Sequence, residues 1–284
     1  HTRCSGVSWA RNVYKRQTIA LWLVSPGQWQ AHDDADCKVD FWLRNLHDLR
    51  QSLEKLNIPL LIRTIDTWDQ APQAVLDVCR QHQVQSVHWN EEYGINEQRR
   101  DDATRALLEK SAIQAHSYLD QLFFRPGTVL TRSGDYFQVF SQFKKTCLEH
   151  LHRSLPALAR RVKRQAPLNI GSDPIPQHVE GFAKTTPALR DHWPAGEAEA
   201  QSRLSRFLDE TIDDYHHLRD LPAKPGTSQL SPYLAAGVIS PRQCLHGALA
   251  SNRGEFDSGS MGVQTWINAV SYTHLRAHET PEHL

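Results

Sequence analysis

The sequence predicts an α/β fold with a parallel sheet in its first half, followed by a long connection and an all-α second part. Three observations lead there. Between residues 18 and 121, short apolar runs alternate with amphipathic helical stretches. Residues 160–196 are rich in Pro, Gly and polar side chains. From Glu197 onward only helical periodicity remains.

The first run, Thr18 to Val24 (TIALWLV), ends at Ser-Pro-Gly as a buried strand does. A helix follows, with Trp42, Leu46, Leu49, Leu53 and Leu56 repeating at three and four residues. Asn57 breaks it ahead of a second strand, Pro59 to Ile65. Ala71, Ala74, Val75 and Val78 mark the next helix, and Ser86 to Trp89 the next strand. A helix from Glu97 to Lys110 and a strand from Ile113 to Tyr118 complete the series. Strands separated by helices imply right-handed crossovers and a parallel, Rossmann-like sheet. No GxGxxG turn is present, so a dinucleotide site of that kind has no support. Pro126-Gly127 marks a turn and Val139 to Leu151 a helix. The second part shows Leu204, Phe207, Leu208, Ile212 and Tyr215 at helical spacing, then a helix from Pro241 to Ala250.

The two ends fit none of this. His1 to Gln17 has neither helical nor strand periodicity, and Ser271 to Leu284 is a short polar stretch with three histidines. His274 and His278 stand at i,i+4 with His283 beyond, but nothing else in that tail is organised, so no metal site is expected. Residues 1–17 and 269–284 are set aside as flanks foreign to the fold.

The 284 residues carry 32 basic and 32 acidic side chains, so net charge offers no support for a broad phosphate footprint. Five scattered cysteines without a CxxC pair fit a reducing, cytoplasmic location. No apolar run approaches the ~18 residues of a membrane span, so no membrane partner is expected. No Ser/His/Asp or Cys/His arrangement stands out; His216-His217 reads as a surface pair beside Tyr215.

The most informative stretch is GTSQLSPYLAAGVISPR, Gly226 to Arg242. Thr227, Ser228 and Ser231 place three hydroxyls and several backbone N–H groups on a loop that opens a helix, as an anion site requires. By itself Ser231-Pro232 also reads as a helix cap followed by the first helical residue. The segment closely resembles the TSxLSxxLxxGxISxR motif of the photolyase–cryptochrome family. A second stretch, GVQTWIN (Gly262 to Asn268), is similar to the start of that family's WxNELxWREFY helix. A third, Asn96-Glu97-Gln98-Arg99-Arg100-Asp101, resembles its NExxRD segment; on local grounds it reads equally as a capped helix start with Asn96 as the cap. Gly127 to Leu151 resembles GxxxTxxGxxYxVFTPFxxxW, with Ser141-Gln142 in place of Thr-Pro and Cys147 in place of Trp.

The resemblance covers about residues 18 to 268 and is nearest the bacterial class I cyclobutane pyrimidine dimer photolyases. It implies an antenna domain over 18–121, an interdomain connection over 122–196 and the start of a helical FAD-binding domain over 197–268. It implies FAD held by Tyr215, Thr227, Ser228, Gln229, Leu230, Ser231 and Trp266, and a 5,10-methenyltetrahydrofolate antenna contacted by Asn96 and Glu97. Arg219 falls at a position near the DNA backbone. The implied reaction is light-driven repair of pyrimidine dimers in UV-damaged DNA by electron transfer from reduced FAD, in a monomer. The family's catalytic residues have no match in this sequence: after Asn268 the pattern stops, and Ala269 stands where the family has a glutamate that hydrogen-bonds the dimer. The chain is therefore expected, by itself, neither to bind FAD stoichiometrically nor to repair DNA. A cryptochrome-like photoreceptor and a plain nucleotide-binding α/β module are the rival readings.

Overall fold

The computed structural model describes the backbone of residues 7–12 and 17–278 and the side chains of residues 17–269. Its sheet has five strands in the order β3-β2-β1-β4-β5. They are β1 (Val7–Asn12), β2 (Gln17–Val24), β3 (Leu60–Thr64), β4 (Ser86–Asn90) and β5 (Gln114–Tyr118). β2 with β3, and β4 with β5, are parallel, whereas β1 runs antiparallel to both β2 and β4.

The sheet is thus mixed, which corrects the expectation of a wholly parallel one, and the central strand comes from a segment set aside as a flank. Four residues separate Asn12 from Gln17. A parallel crossover needs a dozen or more, so a hairpin is the only pairing open to this connection. Pairing asks only for extended backbone N–H and C=O groups, not for side-chain periodicity, which is why the pattern of residues 7–12 gave no warning.

β2 is buried on both faces. Ala20 and Trp22 pack under α2 (Asp36–Lys55) with Leu43, Leu46, Leu49 and Leu53. Ile19 and Leu21 pack on the opposite face with α3 (Ala71–Gln81) and with Leu108 of α4 (Ile95–Lys110). The short α1 (Pro26–Ala31) adds Trp29 to the α2 side. Asn57 ends α2 with φ 58°, a left-handed turn that asparagine tolerates.

Residues 122–196 do more than connect. They include α5 (Phe140–Arg153) and α6 (Pro187–His192). The stretch between those helices runs along the outer side of β3. The Gln165 N–H donates to Leu56 O at 3.1 Å and that of Asp173 to Leu60 O at 2.8 Å. Ser172 Oγ accepts the Leu60 N–H, and the Asp173 carboxylate accepts from the Ile62 N–H and from Arg63. These bonds occupy the edge groups that an uncovered strand would offer to another chain. Ile175, Val179 and Phe182 then join the core beneath α2.

The remaining helices are α7 (Glu197–Glu210), α8 (Tyr215–Leu218), α9 (Ser231–Ala235), α10 (Pro241–Ser251) and α11 (Met261–His278). Their core takes Leu204 and Phe207 from α7, Tyr233 from α9, Leu245 and Leu249 from α10, and Val263, Trp266 and Ile267 from α11. It also takes Leu151 from α5 and Phe41 from α2, so the helical part closes against the α/β part. Ser240 and Gln243 form a reciprocal capping box on α10. Burial pushes the Cys147 and Cys244 thiols up to about 12, so they pack as small apolar groups.

The helix does not stop where the motif stops. α11 continues through residues 269–278, which corrects the reading of this tail as unorganised. No Gly or Pro interrupts that stretch, and each added residue gains a hydrogen bond on a helix already nucleated in the core. The side chains of His274 and His278, and all of His283, lie outside the described residues. Among the described residues no helix is long and apolar enough to cross a membrane.

Candidate functional site

The loop between α8 and α9 is held from below. Leu230 is 1% exposed and Tyr233 is 0% exposed, so both anchor in the helical core. Gly226 presses onto α8; a Cβ there would sit 2.3 Å from the Leu218 Cβ and 2.8 Å from the Leu218 backbone. Gln229 takes a left-handed φ of 50°. These constraints bury the apolar residues and leave Thr227 and Ser231 exposed, with Ser228 half-buried. Among the described residues, the backbone N–H groups from Thr227 to Ser231 have no acceptor, and the Thr227, Ser228 and Ser231 hydroxyls have no partner. A run of unspent donors around one left-handed residue is a concavity that favours an anion.

Ser231 is the first residue of α9, with Leu230 in the capping position and no side-chain cap. This corrects the capping role read from Ser231-Pro232 and leaves the hydroxyl without a structural task. Sequence reasoning missed Arg203. From α7 it donates to Gln229 Oε1 at 3.1 Å, to Glu199 at 2.7 Å and to His192 O at 2.8 Å. Its guanidinium lies 5.1 Å from the Trp193 ring and 5.5 Å from that of Tyr233. The i,i+4 spacing of Glu199 and Arg203 was the only signal, and it reads as an ordinary helix pair.

Tyr215 and Trp266 meet through a third ring. The Phe207 ring is 5.8 Å from Tyr215 and 5.1 Å from Trp266. Trp266 is 6% exposed and packs as a core residue, while Tyr215 is half-buried. Burial raises the Tyr215 phenol above its ordinary pKa, opposed by Arg219. Arg219 itself is exposed and 3.5 Å from Asp220. The His216 and His217 rings are 3.8 Å apart, and His216 Nδ1 bonds the Asp213 carbonyl.

The other candidate residues lie at the carboxyl end of β4, the side of an α/β sheet where ligands gather. Gly94 caps α4, so Asn96 is the second helical residue and not the cap. Asn96 Nδ2 lies 3.3 Å from His32 Nε2, and the His32 ring stands edge-on to Trp68 at 5.0 Å. Glu97 folds back over Gly94, where a Cβ would meet its carboxylate at 2.1 Å. Nearby, burial works against the Arg100 charge, but Glu92 and Asp101 at 2.9 and 2.8 Å outweigh it and raise its pKa. The Arg100 guanidinium is 4.9 Å from the Trp68 ring. The α4 group and the 215–231 group share no hydrogen bond or ring contact among the described residues.

Residues 8–165 match the family model for DNA photolyase. The chain belongs to the DNA photolyase family. The match begins inside the segment that contains β1. The chain is 32% identical to the deoxyribodipyrimidine photo-lyase of Salmonella typhimurium, over 92% of this chain and 54% of the relative. Identity to the Escherichia coli deoxyribodipyrimidine photo-lyase is 30%, with 92% and 54% covered. The chain therefore spans about half the length of the curated relatives it matches. Among solved structures, a class III photolyase from Agrobacterium tumefaciens superposes with a TM-score of 0.75 at 25% identity, covering 91% of this chain and 52% of that one. A Synechocystis cryptochrome shares the fold, with a TM-score of 0.71 at 18% identity, covering 91% and 54%.

Proposed function

We propose that this chain contributes to light-dependent repair of cyclobutane pyrimidine dimers in DNA, and that its 215–231 loop receives the diphosphate of FAD. Family membership supports the reaction class. The observation that carries the site is the open row of donors from Thr227 to Ser231. Reduced FAD, when bound, would supply the electron for dimer cleavage, and a folate at the α4 end would gather light. The chain's own residues bind and orient. Thr227, Ser228 and Ser231 hydrogen-bond phosphate oxygens, Gln229 is steadied by Arg203, and Leu230 fixes the loop in the core. Tyr215 supplies an aromatic wall backed through Phe207 by the core residue Trp266, Asn96 and Glu97 offer an amide and a carboxylate to a pterin edge, and Arg219 meets a DNA phosphate. Ala269 has no polar side-chain atom, so lesion recognition draws nothing from that position.

The same reading divides the chain into an antenna domain (18–121), a connection (122–196) and an FAD-domain segment (197–268), in a cytoplasmic monomer. It takes FAD binding by this chain alone as weak and saturable, below the level retained through purification. The test is a fluorescence titration with FAD on the 284-residue chain and on T227A/S228A/S231A. Hydrogen bonds to charged groups contribute about 1.5–3 kcal/mol each, so affinity should fall at least tenfold. Equal affinity of the two proteins would sink the loop assignment. A wild-type chain that binds AMP as tightly as FAD would favour the plain nucleotide module.

A further inference from the structure

The charge of this neutral chain is not evenly spread. From residue 150 to residue 172 there is no Asp or Glu, yet Arg153, Arg160, Arg161, Lys163 and Arg164 all fall in that span. Every residue from 152 to 164 is exposed except the half-buried Pro156. The span is pinned at both ends. His246 Nε2 is 2.8 Å from Pro156 O, and Gln165 is tied to Thr18, Leu56 and Asn57. Between those anchors, residues 157–164 have no helix or strand and no backbone hydrogen bond among the described residues.

Several arginines elsewhere are spent inside the fold. Arg44, Arg50, Arg63, Arg100, Arg125, Arg190 and Arg203 each face a carboxylate. Among the described residues Arg160, Arg161 and Lys163 have no ion pair or hydrogen bond, and Arg164 has one bond, to Asn57 Oδ1 at 3.2 Å. Cations this close repel one another, and among the described residues no carboxylate pairs with Arg160, Arg161 or Lys163. A polyanion would.

We propose that residues 153–164 form a strap that contacts the phosphate backbone of nucleic acid. An extended stretch of eight residues reaches about 26–29 Å, enough to pass several phosphates of one strand. Leu155, Leu158 and Val162 are also exposed, at 37%, 47% and 49%, and would suit an anionic lipid surface. Interfacial binding, however, needs an amphipathic helix with a continuous apolar face, and a strap fixed at Pro156 and Gln165 has too little length to build one. The partner's class agrees with the DNA reading above and rests on it; the strap itself is independent of the flavin loop.

The experiment compares the full chain with R160Q/R161Q/K163Q, three exposed changes that remove no intramolecular bond. Fluorescence anisotropy with an undamaged 30-base-pair duplex is read between about 50 and 200 mM salt. Each lost phosphate contact should reduce the slope of log affinity against log salt by about 0.9, giving a loss of about 2–3 for the triple variant. Unchanged thermal melting would show that the fold is intact. A wild-type chain that binds duplex while the variant keeps its slope would overturn the strap and leave the DNA reading standing. A wild-type chain that binds no duplex would overturn both. Loss of binding to phosphatidylserine vesicles, with duplex binding unaffected, would also overturn the proposal and assign the strap to membranes.

Discussion

Tyr233 sits at the point where the loop, the helical core and the α/β half meet, and its replacement separates their contributions. The side chain is 0% exposed. Its hydroxyl donates to Pro194 O at 2.6 Å, and its ring meets Phe41 of α2 edge-on at 5.2 Å. Tyr233→Phe removes only the hydrogen bond, at a cost of about 1 kcal/mol. Tyr233→Ala also removes the ring and leaves a cavity, at about 3–5 kcal/mol. In urea unfolding with a slope of about 3 kcal/mol/M, those costs move the midpoint by about 0.3 M and about 1–1.7 M. A double-mutant cycle of Tyr233→Ala with Phe41→Leu should return a coupling of about 0.5–1.5 kcal/mol. An alanine midpoint no lower than the phenylalanine one would refute the packing argument. Strict additivity with Phe41→Leu would refute the claim that this ring pair joins the two halves.

Two further predictions concern stability. Among the described residues the buried His82 Nε2 has no partner, and burial, then Arg63, hold its pKa below the ordinary value, against Asp173. Below about pH 6.5 the unfolded chain takes up a proton that the folded chain resists, so this contribution is fully present above that pH and is lost as pH falls. Thermal melting from pH 8 to pH 5 should therefore show wild type losing stability in acid relative to His82→Gln; a constant difference would count against the assignment. Gly262 lies where α11 crosses the turn after α7, and a Cβ there would stand 1.8 Å from Ile212 O. Gly262→Ala should cost about 3 kcal/mol or more in urea unfolding, because the obstacle is backbone. A change under about 1 kcal/mol would show that α11 can shift.

The sequence by itself determined the elements whose signal is local. The run TIALWLV became β2, and the stripe through Leu46, Leu49 and Leu53 became the buried face of α2, because burial of one face imposes a period on neighbouring residues. The motif around Thr227–Ser231 was legible for a similar reason: hydroxyls, a glycine and a proline at fixed spacing dictate a loop that opens a helix. What only the tertiary structure decided depends on partners distant in the chain. Val7–Asn12 becomes the central strand by lying between β2 and β4, and no side-chain pattern encodes that backbone pairing. Ser172 and Asp173 satisfy the edge of β3 from more than a hundred residues away. Phe207 joins Tyr215 to Trp266, and Arg203 reaches Gln229, only because α7, α8 and α11 pack around one core. Periodicity records which face of a segment is buried; it carries no record of which segment buries it, and that is fixed only when the long-range hydrogen bonds and ring contacts form together.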